Sequence, residues 1–133
     1  MPVNCSALAD AVERLDEGWA RCRMDKSDAL LRDGLIHRFE TTYDLAHKIL
    51  RGFLRRTAAD PETVDRLSFS ALIRVGAQQR LVRGEWPDWS VFREMRALAP
   101  HSYDDNVAVQ VMAAVPAFLA EVRTLLVGIR GQD

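Results

Sequence analysis

From Val107 onward, Val111, Val115, Phe118, Val122, Leu125 and Ile129 recur at steps of four and three. That rhythm follows the 3.6-residue turn of an α-helix, whereas a strand would alternate at every second residue. Leu8, Val12, Leu15, Trp19 and Cys22 repeat the same steps and predict a first helix with a narrow apolar seam. Ser6 is the expected N-cap of that helix. Between these two segments, Leu31, Leu35, Phe39, Thr42, Ala46, Ile49 or Leu50, and Phe53 hold one face over seven turns. At the rise of an α-helix this makes a rod of about 40 Å. Gly34 and Gly52 within it are read as points of close helix approach.

The sequence Thr57-Ala58-Ala59-Asp60-Pro61 stops the long helix, because a residue preceding proline is pushed out of the helical region. Phe69, Leu72, Ile73 and Gly76 predict a shorter helix that closes near Val82-Arg83-Gly84. After a Trp86-Pro87-Asp88-Trp89 turn, Trp89, Phe92, Met95 and Ala99 mark another. Ser102 and Asp105 read as a capping box for the last helix, and Pro116 inside it is expected to kink it. No strand alternation and no repeat is found. The expected fold is all-α, an up-and-down four-helix bundle with a short extra helix, formed by a single domain over residues 1–133.

Composition narrows the function classes. Net charge is −1 over 133 residues, so no global field draws the chain to nucleic acid. No run approaches 18 uninterrupted apolar residues, and the start Met-Pro-Val-Asn-Cys lacks a basic stretch ahead of an apolar one. The expectation is therefore no membrane partner, no leader and a cytoplasmic location. Cys5 and Cys22 have no metal-like spacing, and Cys22 reads as a small buried hydrophobe.

The residues with chemical potential concentrate in Arg96-Ala-Leu-Ala-Pro-His101-Ser-Tyr103. A permanently charged guanidinium near an imidazole, a group that exchanges protons near neutrality, is a minimal kit for phosphoryl chemistry. At about 100° per residue, Arg96 falls inside the stripe of Trp89, Phe92 and Ala99. An inward arginine needs a carboxylate partner or a wet cavity. A second constellation, His37, Glu40, Asp44 and His47, occupies one face of the long helix at spacings reminiscent of metal ligands, but no second helix offers a matching pair. A solvated face or a subunit interface is the simpler reading of it. Arg51, Arg55, Arg56, Arg74, Arg80 and Arg83 would form a phosphate-binding strip if they converged with Arg96. The chain has no Gly-rich phosphate loop and no paired acidic metal site of the kind a transferase needs.

The motif Arg-x4-His-x-Tyr, met as Arg96, His101 and Tyr103, resembles the signature of the HEPN superfamily, in particular its HepT-like toxins. His37-Arg-Phe-Glu-Thr-Thr-Tyr-Asp-Leu-Ala-His-Lys-Ile-Leu50 resembles the Arg-Phe-Glu helix of the nucleotidyltransferase substrate-binding proteins in that superfamily. The resemblance runs over residues 8 to 129. It implies a homodimeric bundle that partners a minimal nucleotidyltransferase, as the substrate-binding half of a two-component system. The long second helix and its charged outer face fit a dimer. For some relatives the resemblance implies a metal-independent endoribonuclease acting on RNA, with the motifs of two subunits facing each other across a groove. In that role His101 would handle the 2′-hydroxyl or leaving-group proton and Arg96 would hold the scissile phosphate. Tyr103 would be the hydroxyl that the transferase nucleotidylates, silencing the toxin. The Arg-Phe-Glu segment implies substrate-binding roles for Arg38 and Glu40 beside Arg96, and no cofactor or metal is implied. Two departures bear on the ribonuclease chemistry rather than on the fold. Ala97 stands where the family usually has a polar residue, and Pro100 constrains the turn before His101.

Overall fold

In a computed structural model, which describes residues 4–132, the chain is a helical bundle. Residues 1–3, on which the reading of the chain start partly rests, lie outside the described residues. The elements are α1 (Ser6–Cys22), α2 (Ala29–Thr57), α3 (Pro61–Asp65), α4 (Phe69–Gln78), α5 (Trp86–Leu98), a 3-10 turn (Ala99–His101) and α6 (Asp105–Gln132). Helix α2 packs along α1 and α6 and also meets α4 and α5, while α5 lies against α6. The four long helices α1, α2, α5 and α6 are those the periodicity predicts.

Length and composition would let α6 cross a bilayer, since an 18-residue window within Asp105–Gly131 has a mean hydropathy of 1.6. The absence of an uninterrupted apolar run was thus too strict a criterion. In the fold this apolarity serves the core: Val111, Val115, Phe118, Val122, Leu125 and Ile129 are fully buried. Phe118 is the hub. Its ring lies 5.0 Å from Phe39, 6.1 Å from Tyr43, 5.3 Å from Phe92 and 6.1 Å from Trp89. Edge-on aromatic pairs of this kind add to area burial and fix relative rotation as well as proximity. The helix is continuous through Pro116, which sits on the solvent side and interrupts no helix assignment.

Helix ends differ from expectation in instructive ways. Ser6 begins α1 rather than capping it, and Asn4 Oδ1 accepts from its N–H at 3.0 Å and its hydroxyl at 2.6 Å. The cap at α6 is Asp104, which accepts from Asn106 N at 2.9 Å, whereas Ser102 N donates to Ala99 O in the turn before it. Pro61 ends α2 and also opens α3. Asp60 accepts from Glu62 N, and proline at a first helical position gives up only a donor that had no partner there. Helix α4 closes at Gln78, short of the expected boundary. Arg80 takes a left-handed φ of 61°, and Leu81 N donates back to Gly76 O at 2.8 Å, a Schellman-type ending. Nothing approaches a Cβ placed at Gly34 or Gly52, so neither marks a close helix contact.

One polar residue ties the core together. Glu121 is 7% exposed, and its Oε1 accepts from Gly84 N at 2.7 Å and from Trp89 Nε1 at 2.8 Å. It anchors both the connection before α5 and the buried indole to α6. Removing it leaves two buried donors unsatisfied, at roughly 1–3 kcal/mol each. Glu121→Ala is therefore expected to lower unfolding free energy by about 2 kcal/mol or more in urea titrations. Glu121→Gln, which keeps an acceptor oxygen, is expected to lose less than half of that.

Candidate functional site

Seating Trp89 and Phe92 on Phe118 sets the rotation of α5. Trp89, Phe92 and Met95 are buried, and Arg96 emerges at the edge of their stripe, toward α2. There it meets Glu40 and Asp44, which lie one helical turn apart and hence on the same face. Arg96 Nε donates to Asp44 Oδ1 at 3.0 Å and Nη2 to Asp44 Oδ2 at 3.1 Å, a bidentate pair. Nη1 reaches Glu40 Oε2 at 3.2 Å. All three guanidinium nitrogens are engaged. The side chains of Arg96 and Glu40 are 29% and 26% exposed, so this is a half-sheltered clamp rather than a loose surface pair. The hydrogen bond to Asp44 raises the Arg96 pKa above its ordinary value, aided by the charges of Asp44 and Glu40 and opposed by burial.

The partner that an inward arginine requires is thus supplied by the face that had suggested a metal site. With Glu40 and Asp44 engaged, that constellation is divided. His37 lines a groove between α1 and α2, and His47 stacks on Phe69 at 4.3 Å. Among the described residues, no group of three or more His, Cys, Asp or Glu side chains is arranged to hold a metal. Arg38 lies on the opposite side of α2 from Glu40, where its Nη1 donates to Arg14 O at 2.7 Å. A two-residue step turns a helix by about 200°, so Arg38 and Glu40 cannot face one ligand together.

The 3-10 turn carries the chain from Arg96 to His101, with Pro100 tolerated because it lies within the first turn. His101 is exposed, and its ring lies 6.2 Å from that of Tyr103 at a steep 73°. Tyr103 is 84% exposed and projects from the junction ahead of α6. The structure therefore joins Arg96 to Glu40, pairs His101 with Tyr103, and sets Arg38 apart. Of the other arginines, Arg51 donates to Val64 O and Leu67 O, and Arg55 pairs with Asp65. These residues are engaged with the α3 region and do not converge on Arg96.

Sequence reasoning missed Arg96's chief partner, although Glu40 and Asp44 at i and i+4 opposite an inward arginine were a usable signal. It also treated Trp86 only as part of a turn. The Trp86 ring has the Arg93 guanidinium carbon 6.0 Å from its centroid.

His47 links this region to pH. Burial lowers its pKa below the ordinary histidine value, reinforced by the charges of Arg51 and Arg93 and opposed by Asp44. The unfolded chain therefore takes up a proton at a higher pH than the folded one. This contribution to stability is fully present above about pH 6.5 and is lost as pH falls through the depressed folded value. The urea midpoint is expected to drop between pH 7.5 and pH 5, and to drop less in His47→Gln. Equal drops in the two proteins would remove His47 from the account.

Comparison with known proteins converges on one family. Residues 3–130 match the family described as nucleotidyltransferase substrate binding protein like. A Haemophilus influenzae protein named probable ribonuclease HepT is 28% identical over 126 residues, covering 92% of this chain and 83% of that protein. A solved Haemophilus influenzae structure, described as revealing the fold of a substrate binding domain of a nucleotidyltransferase, superposes with a TM-score of 0.87 at 26% identity. That match covers 96% of this chain and 99% of the other. With the family match spanning nearly the whole sequence and the same bundle in a solved relative, this chain belongs to the nucleotidyltransferase substrate-binding protein-like family.

Proposed function

We propose that this chain is the substrate-binding and partner subunit of a two-component system, working with a separate minimal nucleotidyltransferase. The observation that carries this reading is the contrast between Arg96 and Tyr103. Arg96 is fully paired to two carboxylates, while Tyr103 stands 84% exposed beside His101. With both carboxylates ionised, Arg96, Glu40 and Asp44 together carry a net charge of −1, one positive against two negative, and this disfavours an approaching phosphate. A hydroxyl held clear of the fold on a short rigid turn suits presentation to another protein's active site. In the proposed reaction the Tyr103 phenol oxygen attacks the α-phosphorus of a nucleoside triphosphate held by the transferase. A new phosphodiester bond forms, pyrophosphate leaves, and the phenolic proton passes to solvent or to His101. Ala97 fits this role, since presentation does not need the polar side chain usual at that position.

A second reading has its own support. The relative named as a probable ribonuclease and the exposed position of His101 favour a metal-independent endoribonuclease, built when two copies face each other across a groove. That activity would require Arg96 to leave Glu40 and Asp44 so that it could hold a phosphate.

The two readings separate in one experiment. The purified chain is incubated with single-stranded RNA in EDTA, and separately with its transferase and labelled nucleoside triphosphates. The expected result is nucleotide transfer to wild type and none to Tyr103→Phe, without RNA cleavage. Cleavage by the unmodified chain that disappears in His101→Ala would replace the presenting role with the ribonuclease.

A further inference from the structure

Between α4 and the start of α5 lies a cleft of about 540 Å³, lined by Arg74, Ala77, Gln78, Glu85, Trp86 and Pro87. It lies outside the Arg96, His101 and Tyr103 group. Trp86 is seated edge-on against Phe69 at 5.9 Å and 80°, which fixes the plane of the indole. Arg93, two turns further along α5, approaches the same ring at 6.0 Å. Arg74 reaches the cleft from α4. Unlike Arg32, Arg55, Arg96 and Arg123, neither Arg74 nor Arg93 has an ion-pair partner among the described residues. One guanidinium without an ion pair, Arg74, thus lines the cleft beside the indole, a second, Arg93, lies over the same ring, and an amide with both donor and acceptor capacity, Gln78, stands in the cleft wall.

We propose that this cleft is a nucleobase site. A base stacks on Trp86, its phosphate is held by Arg74 and Arg93, and Gln78 bonds to the base edge. Stacking tolerates any base, and arginine supplies the anion contact with a planar fork. Glu85 is the opposing charge in the cleft lining, and a phosphate would sit away from it. The proposal deepens the nucleotide-handling role above and rests on that reading for its choice of ligand. Arg93 precedes Arg96 by one turn of α5. Trp86 and Arg96 are ten residues apart, about 15 Å along the helix. Arg96, held by Glu40 and Asp44, takes no part in this site. The ligand is then either a free nucleotide or one unit of a single-stranded RNA.

The test is calorimetric titration of the full-length chain, carrying His101→Ala to prevent any cleavage. The probes are adenosine, adenosine 5′-monophosphate, uridine 5′-monophosphate, ribose 5-phosphate and a uridine hexanucleotide. Both mononucleotides are expected to bind about tenfold or more tightly than ribose 5-phosphate, because the sugar phosphate has no base to stack. Trp86→Leu is expected to weaken mononucleotide binding by about the same factor. Arg74→Ala, a change at an exposed position that leaves the core intact, should weaken the mononucleotides but not adenosine. A hexanucleotide that binds more tightly than either mononucleotide identifies RNA as the source, and equal affinities identify the free nucleotide. Either result supports the site. Wild-type-like binding in both folded variants, or no preference over ribose 5-phosphate, overturns it. The Tyr103 transfer assay is independent: labelling with unchanged binding in the variants removes the cleft alone, and Trp86-dependent binding without labelling removes the transferase reading alone.

Discussion

The seating of Phe118 between α2 and α5 is the contact on which the other features depend. Its ring touches Phe39 and Tyr43 on one side and Trp89 and Phe92 on the other, so one residue fixes the rotation of both neighbouring helices. With α2 and α5 so fixed, Glu40 and Asp44 can only face Arg96. The clamp then follows from helical periodicity: two carboxylates one turn apart meet a guanidinium one residue past the buried Met95. Glu121 holds the start of α5 to α6, through Trp89 and the connection before it. Function-bearing groups in this protein are thus side effects of how a core is closed.

The charges divide into two kinds. Arg96 is half-sheltered and saturated by carboxylates, Glu40 at 26% exposure and the bidentate Asp44 at 59%. Arg74 and Arg93 are exposed and have no ion pair among the described residues; Arg93 lies over the Trp86 ring and Arg74 lines the cleft beside it. Groups of the first kind are held in place by the fold. Those of the second kind are available to a ligand. A nearly neutral chain can therefore contain a local anion-binding surface without any global field.

Much of this was legible in the sequence, and unevenly so for physical reasons. The α1, α2, α5 and α6 helices were readable because each repeats its apolar face over three or more turns. Helix ends were harder: Asn4 at α1, Asp60 at α3 and Asp104 at α6 accept from the first turn through contacts that depend on the local path of the chain, and several polar residues near each end could have served. Helix α3 was hidden because Pro61, a stop for one helix, is also a favourable start for the next. The inward position of Arg96 was plain from its place beside Trp89 and Phe92. Which carboxylate would meet it was not, because that depends on the rotation of α2 against α5, and Glu40 and Asp44 fitted a ligand-like spacing equally well. Arg38 and Glu40, two residues apart in the family motif, point to opposite sides of α2. Only the helical turn between them reveals that they serve different surfaces.

The central claim is that Arg96 is held by Asp44 and Glu40 in the isolated chain and is not an open phosphate receptor. Side-chain nitrogen–proton NMR of the Arg96 Nε–H group tests it most directly. A slowly exchanging resonance that moves in Asp44→Asn and stays in place when inorganic phosphate is added to wild type is the predicted result. A resonance that exchanges freely with solvent, or that shifts with phosphate in the unmodified chain, would contradict it and make Arg96 a binding group in its own right.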